Sequence, residues 1–148
     1  MKLKDPSLLR SQAYINGAWI DAADGRVFAV NNPADGSLIA EVADLGADSI
    51  ATAIDAAVPA QKAWAETPAK TRAMILRRWY DLVIENTDDL ATILTSEMGK
   101  PLAEAKGEIA YGSSFIDWFG EEARRVCGDV MESPQADKRL LTFKQPIG

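Results

Sequence analysis

The chain has 148 residues, of which 47% are apolar and 26% charged. That length and balance suit one globular domain and not a disordered segment. The formal charge of -6 and pI near 4.7 oppose association with nucleic-acid phosphates. No apolar run reaches the roughly 18 residues that span a membrane, and Met1 to Arg10 lacks the apolar core of a signal peptide. A single cysteine can form no internal disulfide and fits a reducing, cytoplasmic setting. Histidine is absent, so neither a Ser-His pair nor a zinc-histidine centre can be built from this chain.

In chain order, Tyr14 to Ile20 reads YINGAWI. A type I′ turn needs positive φ at two successive residues, so Asn16-Gly17 between apolar and aromatic neighbours predicts a hairpin. Val27 to Val30 and Leu38 to Val42 predict two further strands around the turn Asn32 to Ser37, and the first 45 residues together read as a small β-meander. Helices follow. Asp48 is the expected cap of the first, whose apolar face is Ile50, Ile54, Ala57 and Trp64 and whose Pro59 predicts a kink or an early end. Thr67-Pro68 predicts the start of a second helix with Met74, Ile75, Trp79, Leu82 and Val83 inward and Arg72, Arg77, Arg78 and Asp81 outward. Thr87 is the expected cap of a third, with Asp88 and Asp89 against its positive end and Leu90, Ile93 and Leu94 inward.

Gly99-Lys100-Pro101 predicts a stop and the start of a fourth helix running to about Val126, with Leu102, Ile109, Phe115, Ile116, Phe119 and Val126 as its stripe and Gly128 as its terminator. Leu140 to Phe143 predicts a last strand that lacks a hairpin partner. Pro134 to Asp137 is the candidate domain crossing. Gln145-Pro146-Ile147-Gly148 reads as the entry to further structure.

Few residues could carry chemistry alone. Neither the G-x-x-x-x-G-K-[ST] loop nor a G-x-G-x-x-G turn after a strand occurs. Cys127 could be a nucleophile favoured by Arg124 and Arg125. Its expected place at a helix C-terminus disfavours a thiolate, which points instead to a buried or half-buried structural cysteine. Asp88-Asp89 and Glu121-Glu122 could be paired carboxylates for acid-base work or a metal. Helix capping for the first pair and a solvated helix face for the second are the favoured readings, since helix ends attract acids. Arg77-Arg78 reads as a solvated face. Tyr111, Phe115, Trp118 and Phe119 could line a pocket for a small substrate or belong to the core.

Four segments in order, NNPADGS, AAVPAQKAW, PAKTRAMILRRW and TSEMGKPLAEAKGEI, followed by the closing KQPIG, resemble the N-terminal region of aldehyde dehydrogenases. The resemblance runs from about Tyr14 to Gly148. The wording around EMGKPLAEAKGEIAYGSSFIDWFGEEARRV and ADKRLLTFKQPIG looks most like bacterial succinate-semialdehyde dehydrogenases, although families acting on other semialdehydes or betaine aldehyde share much of it.

The resemblance implies an α/β fold, the N-terminal part of the aldehyde dehydrogenase architecture. Residues 1–130 would begin a doubly wound NAD(P)-binding domain, residues 131–148 would begin an oligomerisation arm, and the catalytic domain would lie outside this chain. It implies NADP or NAD as cofactor, a homodimer or homotetramer, and a small aldehyde as substrate. In the family a cysteine thiolate adds to the aldehyde, hydride leaves to the nicotinamide, and a glutamate activates the water that hydrolyses the thioester. The nucleophile loop and the phosphate-binding segment lie further along the family's chain, and Cys127 does not match that context. The resemblance therefore assigns this chain no catalytic and no cofactor-binding residue, and predicts that it is inactive alone.

Two family features do map here. Tyr111 and Phe115 would border the substrate tunnel. Glu97, with the backbone carbonyls of Val30 and Asn31, would match a site for a monovalent or magnesium cation, for which oxygen ligands are suited; a surface role for Glu97 is the other reading. A different class of function also stands open: a truncated, non-catalytic relative that binds an intact subunit through its exposed strand.

Overall fold

A computed structural model describes residues 1–147. After a short 3-10 turn at Pro6–Leu8, strands β1 (Ala13–Ile15) and β2 (Ala18–Ile20) form an antiparallel hairpin. Asn16 and Gly17 take φ of 49° and 81°, the positive pair that the turn demands. Strands β3 (Val27–Asn31) and β4 (Leu38–Ala43) form a second hairpin, with a register shift between Val30 and Asn31.

The expected meander is thus two separate two-stranded sheets. Residues between β2 and β3 turn away instead of pairing: Gly25 donates its N–H to the Ala22 carbonyl, and Arg26 bridges Asp24 and Asp44. One backbone bond, Ala43 N–H to the Ser11 carbonyl at 2.8 Å, joins the chain before β1 to the end of β4.

Four helices follow: α1 (Ala47–Glu66), α2 (Ala69–Glu85), α3 (Thr87–Met98) and α4 (Leu102–Glu122). Their ends differ from the sequence expectation. Gly46, not Asp48, occupies the N-cap of α1, and Asp48 lies in the first turn. Pro59 does not end α1, which continues for seven more residues to Glu66. Thr67 closes α1 rather than capping α2: its hydroxyl donates to the Ala63 carbonyl. Thr87 likewise turns back, donating to the Val83 and Ile84 carbonyls at the end of α2. In each case a threonine hydroxyl that could accept from the next helix donates to the preceding one instead. Gly99 does stop α3, at φ 76°. Helix α4 ends at Glu122, short of Val126, and Ala123 takes the C-cap position expected of Gly128. Gly128 has another constraint: a Cβ there would overlap the Thr142 carbonyl.

The core lies where α4 packs on α2 and α3, and it is made of small residues. Ala73 of α2, Ala91 of α3, and Ala105, Ser113 and Gly120 of α4 are buried. Along α4 the inner stripe is Ala105, Ile109, Ser113, Ile116 and Gly120, a helical spacing of fours and a three. A Cβ at Gly120 would sit 3.5 Å from that of Leu76, so the helices approach closely there. Of the stripes read from large residues, Val83 on α2, Leu90, Ile93 and Leu94 on α3, and Ile109 and Ile116 on α4 are half-buried as expected, but others face outward. Met74, Ile75, Trp79 and Leu82 on α2, and Leu102, Phe115 and Phe119 on α4, are exposed. All four tryptophans are exposed as well.

The last hairpin pairs β5 (Val130–Glu132) with β6 (Arg139–Leu141), antiparallel. The final strand therefore has a hairpin partner, contrary to the expectation that it would lack one. Val130 and Met131 offer too short a run to stand out. The α/β content agrees with the implied fold; among the described residues the sheets are all two-stranded hairpins.

Candidate functional site

The aromatic cluster on α4 forms an outer face, not part of the core. Tyr111 and Phe115 are one helical turn apart and meet edge to face, with centroids 4.9 Å apart at 86°. They are 67% and 46% exposed, with Trp118 and Phe119 open beside them. Glycine, serine and alanine occupy the opposite face and let α4 sit close to α2, and this turns the large rings outward. Below them Arg77 ties α2 to α4, with Nε 3.0 Å from Asp81 and a terminal nitrogen 3.5 Å from Asp117 while the guanidinium lies over the Tyr80 ring. Arg77 is thus an inter-helix brace, more than the solvated face expected of it.

Glu97 is exposed in the last turn of α3. The turn after β3 reaches that helix end: Pro33 Cγ lies 3.0 Å from where a Cβ of Gly99 would stand. The chain two residues past Asn31 therefore meets the chain two residues past Glu97, next to the register shift at Val30 and Asn31. Among the described residues no group of three or more Asp, Glu, Cys or His side chains could hold a metal. A cation here would rest on one carboxylate plus backbone oxygens.

Asp88 and Asp89 do different work from each other. Asp88 is exposed and accepts from Lys106 at 2.7 Å and Lys4 at 3.2 Å; those two hydrogen bonds, Lys106 first, hold its carboxyl below the ordinary carboxylate range. Asp89 is buried, and its two oxygens accept from the backbone N–H groups of Lys4 and Asp5. Sequence reading placed Asp89 correctly at the helix start but missed these partners, which lie 85 and 84 residues away. Glu122 pairs with Arg125. Cys127 is exposed, beyond the end of α4, so the buried structural reading and the helix-dipole argument both fall away. With no histidine in the chain, no imidazole stands ready to activate it.

The model of the aldehyde dehydrogenase family matches residues 19–148, and the chain belongs to that family. It is 57% identical over all 148 residues to glutarate-semialdehyde dehydrogenase of Pseudomonas aeruginosa and 55% to succinate-semialdehyde dehydrogenase [NADP(+)] of Escherichia coli, covering 31% of each. It is 53% identical to 3-sulfolactaldehyde dehydrogenase of Pseudomonas putida, covering all of this chain and 30% of that one. The structure superposes on the aldehyde dehydrogenase from Brucella melitensis biovar abortus with a TM-score of 0.97 at 57% identity, over 99% of this chain and 30% of that one. The indole-3-acetaldehyde dehydrogenase of P. syringae, solved with NAD+, superposes at 0.87 with 30% identity over 94% of this chain and 28% of that one. The chain thus spans less than a third of the length of these relatives. Among the described residues no helix is long and apolar enough to cross a membrane.

Proposed function

We propose that the full-length protein oxidises succinate semialdehyde to succinate with NADP+ or NAD+, as a cytoplasmic homodimer or homotetramer. The observation that carries this reading is similarity over the whole chain, at 53–57% identity, to enzymes named for succinate semialdehyde, glutarate semialdehyde and 3-sulfolactaldehyde. All three substrates are small aldehydes that also bear an acid group. Residues 1–130 begin the cofactor-binding domain and residues 131–148 the oligomerisation arm. The cofactor supplies the hydride acceptor. The thiolate, the phosphate-binding turn and the water-activating glutamate belong to the part of the protein beyond this chain, since no motif here suits those roles.

Within this reading Tyr111 and Phe115 border the substrate entrance. Their exposed, edge-to-face rings support it, because a rigid aromatic wall excludes water without adding charge against an anionic substrate. Glu97, with the carbonyls of Val30 and Asn31, holds a monovalent or magnesium cation; the approach of Pro33 to Gly99 supports their nearness. The test is a steady-state assay of the full-length enzyme with succinate semialdehyde, glutarate semialdehyde and 3-sulfolactaldehyde, each with NAD+ and NADP+. The highest kcat/KM is expected for succinate semialdehyde. A preference for the five-carbon or the sulfonated substrate would replace the assignment within the same family.

A further inference from the structure

The first eleven residues cross from the helices to the hairpins. Among the described residues, the hydrogen bonds that join this segment to a buried group of the helical layer are the two to Asp89: Lys4 N–H to Oδ1 at 2.9 Å and Asp5 N–H to Oδ2 at 2.8 Å. Each carboxylate oxygen takes one main-chain donor, a two-point grip that fixes orientation as well as position. The segment is tied again on the C-terminal side of the grip. Asp5 Oδ1 accepts from Ser7 N–H at 2.9 Å and caps the turn Pro6–Leu8, and further on the Ser11 carbonyl accepts from Ala43 at the end of β4. Beside the grip, Asp88 joins Lys4 Nζ to Lys106 Nζ across α3 and α4, but through exposed side chains.

We propose that residues 1–11 form a strap, latched to α3 by Asp89, that belts the helical layer to the β3–β4 hairpin and can be opened at this one carboxylate. Asp89 acts as a positioning residue: through its two carboxylate oxygens it orders the main chain of the strap. The exposed Lys4–Asp88–Lys106 chain is accessory, because solvent competes for both partners. A carboxylate that loses these donors would be left buried without partners, so latch and strap are ordered together.

The test is hydrogen exchange by mass spectrometry on the full-length protein, comparing a peptide covering residues 1–12 with peptides from α2 and α4. In Asp89→Asn the amide NH2 faces one of the two donors, so exchange in residues 1–12 should quicken about tenfold, with α2 and α4 unchanged. Lys4→Pro removes one donor from the strap side without touching Asp89 and should have the same effect. Asp88→Asn should leave the strap peptide at the wild-type rate. Unchanged exchange in residues 1–12 in Lys4→Pro, or in a folded Asp89→Asn, would overturn the latch. So would equal acceleration of α2 and α4, which would make Asp89 an ordinary stabilising residue. If Asp89→Asn does not fold, Lys4→Pro alone decides.

Discussion

The α2–α4 layer and the β5–β6 hairpin are both regular and both rich in apolar residues, yet only the first has an interior. In the layer Ala91 and Ala105 have no accessible surface, and Ser113 and Ala73 almost none. In the hairpin every strand residue is exposed, Val130 at 73%. The hairpin is held by its ladder and by Asp129 and Thr142, which exchange two bonds at its open end. A lone two-stranded ribbon of this length is marginal in water. Apolar composition therefore does not decide what is buried. Close approach does, and small residues permit it. The large side chains, which dominate a hydrophobicity reading, are left for surfaces that this length of chain does not cover. Helix α1 resembles the hairpin in this respect, with Ile50, Ile54 and Val58 all exposed along one stripe.

The sharpest way to break the comparison is to express residues 1–148 alone. Each large apolar side chain left open forgoes about 1.5–3 kcal/mol of burial, and a few of these equal a whole domain's stability of about 5–15 kcal/mol. The expected result is self-association or a molten state, seen by light scattering and dye binding, with no aldehyde oxidation. A monodisperse monomer with a sharp melt would show that the small-residue layer suffices. Cysteine-dependent turnover abolished by Cys127→Ser would sink the view that the chemistry lies elsewhere.

Next in size is overpacking of the layer. In the full-length protein Ala91→Leu should cost about 1–3 kcal/mol or more, measured by denaturant unfolding. If Ala91→Leu were neutral, the layer would be loosely packed and the contrast with the hairpin would fail.

Tyr111→Ala addresses the outward face and should act on a different quantity. The expected change is in the ratio of kcat/KM among aldehydes, with cofactor KM little altered. A loss of about 3–5 kcal/mol of stability with unchanged selectivity, as when a core aromatic is truncated, would mean that the rest of the protein buries this ring as core.

The smallest effect is expected at Asp88. Its carboxyl is held below the ordinary carboxylate range by Lys106 and then Lys4, so its contribution is full above that range and is lost only as pH falls through its lowered value. Asp88→Asn should therefore leave the melting temperature at pH 7 close to wild type, and the two proteins should differ still less below about pH 4. A difference that grew on acidification would reverse the sign of this account.

Much of the local structure was legible because it follows from short-range stereochemistry. Asn16-Gly17 specifies its own turn, Gly99 its own helix stop, and the four helices appear in the order their periodicity indicates. The order of four short segments resembled the N-terminal region of aldehyde dehydrogenases, and the family match over residues 19–148 bears that resemblance out. Which face points inward was legible for α3, through Leu90, Ile93 and Leu94, but not for α1 and only in part for α2 and α4. A hydrophobic stripe marks a face that will be buried somewhere, but alanine, serine and glycine score weakly although they are what lets α4 approach α2. Nor could the sequence tell that Asp89 holds main chain 84 residues away, or that β6 has β5 beside it rather than an open edge. Those choices depend on distances between segments remote in the chain, and only the tertiary structure sets them.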